Sequence, residues 1–455
     1  MMTNATVSLA SIPQRQTTLH QIVDRILPQC DRLNVYLNNY PNVPEFLRHP
    51  KITVARSQDH GDIGDNGKFF WIHETKGYCF TLDDDVLPST DYIEQMIGYI
   101  EKYNGRVVIA NHGSVFNPTP IKNYFTDRQV IQDVPNSVMV NGVGTGSIGW
   151  HSGAIRLSLQ SFPFPNMTDV WFAIAAKQQE VPLIVMPHRN RRIQVLQTNS
   201  PGLFEKFRHN ANTQTNLINS NGPWPHPDTL VMVPYRYDWY DIRGYHQDDH
   251  LLREMRKRNG FYEQDLLIFL LGKLAPGGVI IDIGANIGNH SIFFANECEA
   301  DHVIAVEPFP PLQRILARNL ARNVDQGGYT IVCAAVYPNR NQVGLQLADD
   351  KNIGKTSTVP DSEGDVCVPA LPLDAIVTQC AGAAPIALIK MDIEGAELPA
   401  LQSGIKTIQT HKPLLAIESW TIEDREKIRE FLSPYGYRCI GRFCSSPVYV
   451  WEAKK

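Results

Sequence analysis

Three consecutive carboxylates, Asp83-Asp84-Asp85, follow the apolar run Phe80-Thr81-Leu82. In an extended chain the side chains at i and i+2 point the same way, so Asp83 and Asp85 can converge on one hard cation, Mn2+ or Mg2+. Such an ion, bridging a diphosphate, stabilises a leaving nucleoside diphosphate as a Lewis acid. Adjacent acids repel, which argues for a cation at this strand end; the alternative is a solvated acidic turn. A second set of acids lies far downstream, each at the end of an apolar run. Val279-Ile280-Ile281-Asp282 enters a turn holding Gly284 and Gly288, Ile304-Ala305-Val306 ends at Glu307, and Ile389-Lys390-Met391 ends at Asp392 with Glu394 close behind. In an open parallel sheet, ligands sit beyond the carboxyl ends of the strands, so acids at three such ends describe one site better than three separate helix caps. Glu307, after the second of these strands, is placed to accept both hydroxyls of a ribose.

Alternating strand and helix patterns must position these groups. In the first half, Thr6–Ala10 reads as a strand, and Leu19, Ile22, Val23, Ile26 and Leu27 recur at helical spacing after Pro13. Strands follow around Leu33–Leu37, Ile52–Val54 and Tyr78–Leu82, then a helix bearing Ile93, Met96, Ile97 and Ile100, then strands at Arg106–Ala110 and Leu183–Met186. This order predicts an α/β layer with a mainly parallel sheet. Near 197–227 Asn, Thr, Ser and Pro dominate. The expected division is therefore a domain over 1–220, a linker over 221–245 and a second domain over 246–455. The second domain begins with a helix around Leu251–Leu274, continues through a strand at Tyr329–Val336, and ends in an antiparallel hairpin, Tyr437–Gly441 with Val448–Trp451.

The 455-residue length is too great for one ordinary core, which supports two domains. A net charge of −5 without a basic domain argues against a nucleic-acid partner. No apolar run is long enough for a membrane span, and Met1–Ala10 lacks the pattern of a signal peptide. The eight cysteines form no C-x-x-C pair, so reduced thiols and a cytoplasmic enzyme are expected, with the oligomeric state open.

The order D-x-G-x-N-x-G in Asp282-Ile283-Gly284-Ala285-Asn286-Ile287-Gly288 differs from the G-x-G-x-x-G of nicotinamide-binding turns. Together with Val306-Glu307-Pro308, Leu371-Pro372-Leu373-Asp374 and Lys390-Met391-Asp392-Ile393-Glu394-Gly395-Ala396-Glu397, it resembles the FkbM-type methyltransferases over roughly residues 240–455. The resemblance implies a Rossmann-like domain that uses S-adenosylmethionine to methylate hydroxyls of sugars and other small molecules. It implies that Asp282, Gly284, Asn286, Gly288 and Glu307 hold the cofactor, with Lys390, Asp392 and Glu394 lining the reaction side. A sugar hydroxyl is a poor acid, so a general base or a metal is needed. Asp392 is the candidate base and Lys390 its electrostatic partner; His290 and Glu418 are alternatives that the sequence does not rank.

Val7-Ser8-Leu9-Ala10-Ser11-Ile12-Pro13-Gln14-Arg15, a helix, and then Leu33-Asn34-Val35-Tyr36-Leu37-Asn38 resembles the opening of glycosyltransferases with the GT-A fold. Family-2-like members carry the D-x-D at the end of the fourth strand, and the resemblance covers about residues 4–195. It implies that Asp83 and Asp85 bind metal and a nucleotide-sugar donor, and that Lys68 reaches a phosphate or the base. Asp169, at a helix start in Met167-Thr168-Asp169-Val170, would deprotonate a glycan acceptor, although a helix cap explains it equally well. In Pro187-His188-Arg189-Asn190-Arg191-Arg192, His188 could complete the metal site and the arginines could hold phosphate; a basic surface loop is the alternative. Gly142-Val143-Gly144-Thr145-Gly146-Ser147 looks like an acceptor-side loop. The two halves together predict a bifunctional glycan-modifying enzyme. The alternative is a sugar O-methyltransferase whose N-terminal domain only docks a glycan. A nucleotidyltransferase would want a glycine-rich, basic N-terminal loop, which Ser8–Pro13 is not.

Overall fold

The computed structural model describes residues 4–116, 119–188, 193–198, 211–339, 341–348, 350–359 and 364–454. The chain divides into two compact units, Met1–Pro227 and Asp228–Lys455.

The first unit is built on an eight-stranded sheet. Its strands are β1 (Ala5–Ser11), β2 (Arg32–Leu37), β3 (Ile52–Arg56), β4 (Tyr78–Asp83), β5 (Val108–Ala110), β6 (Val138–Val140), β7 (Ser147–His151) and β8 (Leu183–Val185), in the order β3-β2-β1-β4-β7-β5-β8-β6. Strands β1 to β4 are mutually parallel. The helix Gln16–Ile26 buries Leu19, Ile22, Val23 and Ile26, the predicted stripe. Two strands of this sheet were not legible, β6 and β7, and β7 runs antiparallel between β4 and β5, with Ser147 opposite Leu82. That register sets the Gly144–Gly146 turn beside the end of β4, where Asp83 N–H donates to Gly146 O at 3.0 Å.

The segment expected as a linker is ordered and split between the units. Trp224 is buried in the first, its indole N–H donating to Ile218 O at 2.7 Å. In the second, Leu230–Tyr235 and Asp238–Arg243 pair as an antiparallel hairpin. Asp241 of that hairpin is buried and takes Arg318 at 2.7 Å and Arg322 at 3.0 Å, both from the helix Pro310–Asn323. Aromatic and β-branched residues around a tight turn thus outweigh the polar composition that precedes them.

The second unit carries β9 (Val279–Ile283), β10 (His302–Val306), β11 (Tyr329–Val332), β12 (Ile386–Met391), β13 (Leu414–Glu418), β14 (Tyr437–Phe443) and β15 (Val448–Ala453). The order is β11-β10-β9-β12-β13-β15-β14, parallel through β13 and finished by the antiparallel hairpin β14–β15. All the acid-bearing strand ends therefore open on one edge. The helix expected over Leu251–Leu274 is two, His250–Arg258 and Gln264–Leu271, because Asn259 takes a left-handed conformation (φ +50°) and stops the first before Gly260. The strand expected over Tyr329–Val336 also breaks, Ala335–Val336 pairing instead with Ala370–Leu371.

Among the described residues no helix is long and apolar enough to cross a membrane. The cysteines are unpaired. Removing Asp241 would strand two guanidinium groups against a buried strand. Asp241→Ala is therefore expected to destabilise the second unit by about 3 kcal/mol in chemical denaturation, whereas a true linker substitution would change little.

Candidate functional site

In the first unit the end of β4 faces a cleft that Arg15, Lys68, Asp83, Asp85, Thr145 and Asp169 help to line. The three aspartates are not left to repel one another. Lys68, 4% exposed, sets Nζ 2.6 Å from Asp83 Oδ1, and Arg15 reaches Asp84 Oδ1 at 2.7 Å and Asp85 Oδ2 at 3.0 Å. Burial works against the charge on Asp83, but Lys68, with Arg15 and His112 beyond it, holds this carboxyl below its ordinary range. Burial pushes Asp84 up to about 6 despite Arg15. Burial and then Asp83 raise Asp85. The cations expected at this strand end are thus present within the chain itself, as Lys68 and Arg15.

Thr145 joins this group to Asp169. Its backbone N–H and its hydroxyl both donate to Asp169 Oδ1, at 2.8 and 2.6 Å, and it accepts from Lys68 Nζ at 3.3 Å. Asp169 lies in the first turn of the helix Thr168–Gln178, where it also suits the helix dipole. Gly146 has no room for a side chain, since a Cβ there would sit 2.2 Å from Asp83 Oδ2. His188 does not join the cleft residues. Its Nδ1 meets Met186 O at 2.8 Å and its Nε2 accepts from Asp133 N–H at 3.2 Å, so both ring nitrogens are engaged. The arginines at 189, 191 and 192 lie outside the described residues.

In the second unit a cleft runs along the ends of β9, β10 and β12. Gly284, Asn286, Glu307, Lys390 and Asp392 line it, as does His290. Gly284 has φ +77°, and a Cβ on it would fall 1.9 Å from Asp392 O, so the turn can pass this point only as glycine. Gly288 starts the helix Asn289–Glu297, also left-handed. Asp282 lies inside β9 rather than after it, fully buried, and accepts from Ser291 Oγ at 2.6 Å. Its counter-ion is Lys390, whose Nζ stands 3.3 Å from Asp282 Oδ1 and 3.6 Å from Asp392 Oδ2 and donates to Gly284 O at 3.2 Å. Burial alone would lower the lysine, but Asp282, Asp392 and Glu263 keep it above its ordinary range.

Glu307 is buried and already accepts Asn286 N–H and Phe309 N–H, each at 2.9 Å. Burial pushes it up to about 7 although both bonds favour the charge. Burial also pushes His290 down to about 4, leaving a neutral ring with Nε2 3.5 Å from Glu263 Oε2. Asp392 and Glu394 meet Glu418, which ends β13. Burial and then Asp392 raise Glu418 well above the carboxylate range. Asp374 lies in none of this: it accepts Thr407 N–H and Oγ at 2.9 and 2.7 Å and ties two helices together.

Sequence reasoning missed Arg15 as a counter-ion, Thr145 as a bridge, and Glu263. Arg15 was visible in the motif after Pro13, but nothing in its spacing places it at Asp84. Glu263 sits in a left-handed turn between two helices that read as one.

Residues 282–439 match the family model of the methyltransferase FkbM domain, roughly a third of the chain. Among curated proteins, the AMB antimetabolite synthetase AmbE of Pseudomonas aeruginosa is 42% identical over 53 residues, which is 12% of this chain and 2% of that protein. The chain thus spans a very small part of that synthetase's length. Among solved structures, the methyltransferase FkbM of Methylobacillus flagellatus is 18% identical, covering 56% of this chain and 71% of that one at a TM-score of 0.30. The precorrin-6y C5,15-methyltransferase of Geobacter metallireducens is 19% identical, covering 42% and 88% at a TM-score of 0.28. Sp1610 of Streptococcus pneumoniae, a tRNA (m1A22) methyltransferase by its description, was solved with S-adenosyl-L-methionine; it is 12% identical, covering 42% and 73% at a TM-score of 0.29. The C-terminal unit carries a methyltransferase domain of the FkbM type.

Lys390→Met would leave the buried Asp282 without its counter-ion. It is expected to cost about 3–5 kcal/mol in urea unfolding. Adding Asp282→Asn should return about 1 kcal/mol or more of that loss, and strict additivity of the two changes would refute the pairing.

Proposed function

We propose that the chain is a bifunctional glycan-modifying enzyme. Its C-terminal unit methylates a sugar hydroxyl with S-adenosylmethionine, and its N-terminal unit transfers a sugar from a nucleotide donor with Mn2+ or Mg2+. The match of residues 282–439 carries the first half. The second rests on the D-x-D ending the fourth strand, one threonine away from a candidate base. A cytoplasmic setting, with unpaired thiols, goes with this reading.

In the C-terminal cleft, S-adenosylmethionine supplies a methyl group on a sulfonium, already a good leaving group. The residues fit it: Gly284 and Asn286 of the turn line the cleft, and Glu307 retains acceptor capacity toward a ribose beyond its two backbone bonds. The chain's work is alignment and proton removal. Asp392 would take the acceptor's proton as the methyl group passes to the oxygen, with Lys390, 3.6 Å from Asp392 Oδ2, as its electrostatic partner.

In the N-terminal cleft, Asp83 and Asp85 would hold the metal, Lys68 would meet the donor's phosphates and Asp169 would serve as base. Joining the two units raises the effective concentration of one product at the other site. A second reading has a specific observation in its favour. Lys68 and Arg15 already neutralise the aspartates, as they would in a glycan-docking domain without transfer activity.

Calorimetry separates the two. UDP, GDP and TDP are titrated with and without Mn2+ into the wild type and Asp83→Ala/Asp85→Ala. One nucleotide is expected to bind only with metal and only to the wild type; no binding of any leaves the docking reading. A second measurement tests Glu307. A carboxyl lifted to about 7 is ionised above that pH and protonated below it, and only the ionised form accepts from two hydroxyls. Affinity for S-adenosylmethionine should therefore fall as pH drops through 7, by up to about tenfold per unit. Glu307→Gln should flatten the profile; an unchanged slope would assign it to another group.

A further inference from the structure

Asp392 and Glu394 after β12, and Glu418 at the end of β13, each bring one carboxylate oxygen within 4.8 Å of the others. Among the described residues no other three acids, histidines or cysteines gather so closely. A separate observation marks the place. Glu418 is 3% exposed, and no N–H or hydroxyl donor of the described residues reaches its Oε2, which leaves Glu418 with only the Asp392 carboxyl beside it. The neighbouring Ser419 hydroxyl, also buried, has no hydrogen-bond partner among the described residues. Leaving such an oxygen dry and unmatched costs about 1–3 kcal/mol or more, and native interiors seldom keep one unless an ion or water completes it.

Of the nearby lysines, Lys355 acts on Glu394, but neither it nor Lys390 is among the main charges acting on Glu418. Lys390 is committed to Asp282 and Gly284 O, and meets the group only through Asp392. Lys355 lies with its ammonium 5.4 Å over the Trp420 ring. The loop is itself held from behind. Glu397, also buried, accepts Ile393 N–H and Gly395 N–H at 3.0 Å each, and Glu394 between them stands in left-handed backbone at φ +51°. A non-glycine residue is kept there only when its surroundings over-determine it.

We infer that Asp392, Glu394 and Glu418 hold one divalent, oxygen-preferring cation, Mg2+ or Mn2+, on the acceptor side of the methyl-donor cleft. This rests on the methyltransferase reading of the C-terminal unit and deepens it. Three carboxylates, one oxygen each, fill half of an octahedron, so the remaining positions can take water and two oxygens of the acceptor. The acceptor class is then a compound with vicinal oxygens, such as a sugar diol chelated through both hydroxyls. The cation lowers the hydroxyl's pKa and fixes its lone pair toward the methyl group. Asp392 ligates through one oxygen and receives the proton on the other. Trp420, 49% exposed and two residues after Glu418, would offer the sugar ring an apolar face where Lys355 does not cover it.

The test uses the full chain with Asp83→Asn/Asp85→Asn, which removes the N-terminal candidate site. Free Mn2+ is followed by electron paramagnetic resonance in this protein and in the same protein with Glu418→Gln. S-adenosylmethionine binding is measured on both by calorimetry, and Glu394→Gln replaces Glu418→Gln should the latter not bind it. The expected result is one Mn2+ per chain, weakened at least tenfold by the added substitution, with cofactor binding kept. No Mn2+ in the first protein, or undiminished affinity in the second, while the cofactor still binds, overturns the cation site and leaves the methyltransferase standing. Failure of the first protein to bind S-adenosylmethionine overturns the methyltransferase reading, and this inference with it.

Discussion

Lys390 is 3% exposed, yet its ammonium group stands between two carboxylates and a backbone carbonyl. Taking an ammonium out of water costs several kcal/mol, and a single neighbouring charge at about 4 Å returns roughly 4 kcal/mol at the effective dielectric of a protein. One carboxylate would leave the lysine near balance; two, with Gly284 O as acceptor, keep it charged. The same contacts fix the ends of β9 and β12 against each other, and with them the turn that passes Asp392 O too closely for any Cβ. The shape of the cofactor cleft is thus a consequence of where one buried cation finds its partners.

The N-terminal unit solves a like problem differently. Three acids at one strand end are met by two cations from elsewhere in the fold: Lys68 from the 3-10 turn Gly64–Phe69 and Arg15 from the end of Pro13–Arg15. A metal is not required to assemble them, so any metal there would serve chemistry rather than folding. It would also have to share Asp83 with Lys68 and Asp85 with Arg15. A diphosphate would ease that sharing, because its charge gives both cations a second anion to face.

The alternation of strands and helices, the strand-end acids and the terminal hairpin were legible because they depend on local pattern and on the rule that parallel strands open their sites on one edge. Strand β7 was not legible: Gly142–Gly146 announces a loop, and nothing local says that Ser147–His151 inserts antiparallel between β4 and β5. The hairpin at Leu230–Arg243 was hidden by the polar stretch before it, although its Asp241 is one of the most buried charges in the chain. Pairings such as Arg15 with Asp84, 69 positions apart, are set by tertiary geometry, and spacing carries no trace of them. His188 shows the reverse error. A histidine beside arginines looked like a ligand, but a backbone carbonyl and a backbone N–H already satisfy both its nitrogens.

The charge balance of the C-terminal cleft bears on its chemistry. Asp282, Asp392, Glu394 and Glu418 crowd one edge with Lys390 as their buried cation. Glu418, lifted well above the carboxylate range, adds little negative charge of its own, and the negative field of the others would favour a bound sulfonium. Transfer of the methyl group, however, discharges the sulfonium, so the field holds the reactant better than the transition state unless something opposes it. Positive charge on the acceptor side does so. It lowers the cost of developing charge on the attacking oxygen and offsets the carboxylates as the sulfur becomes neutral. Lys390 is too committed to Asp282 to supply all of it, whereas a group drawn to the open oxygen of Glu418 would sit where the opposing charge is needed.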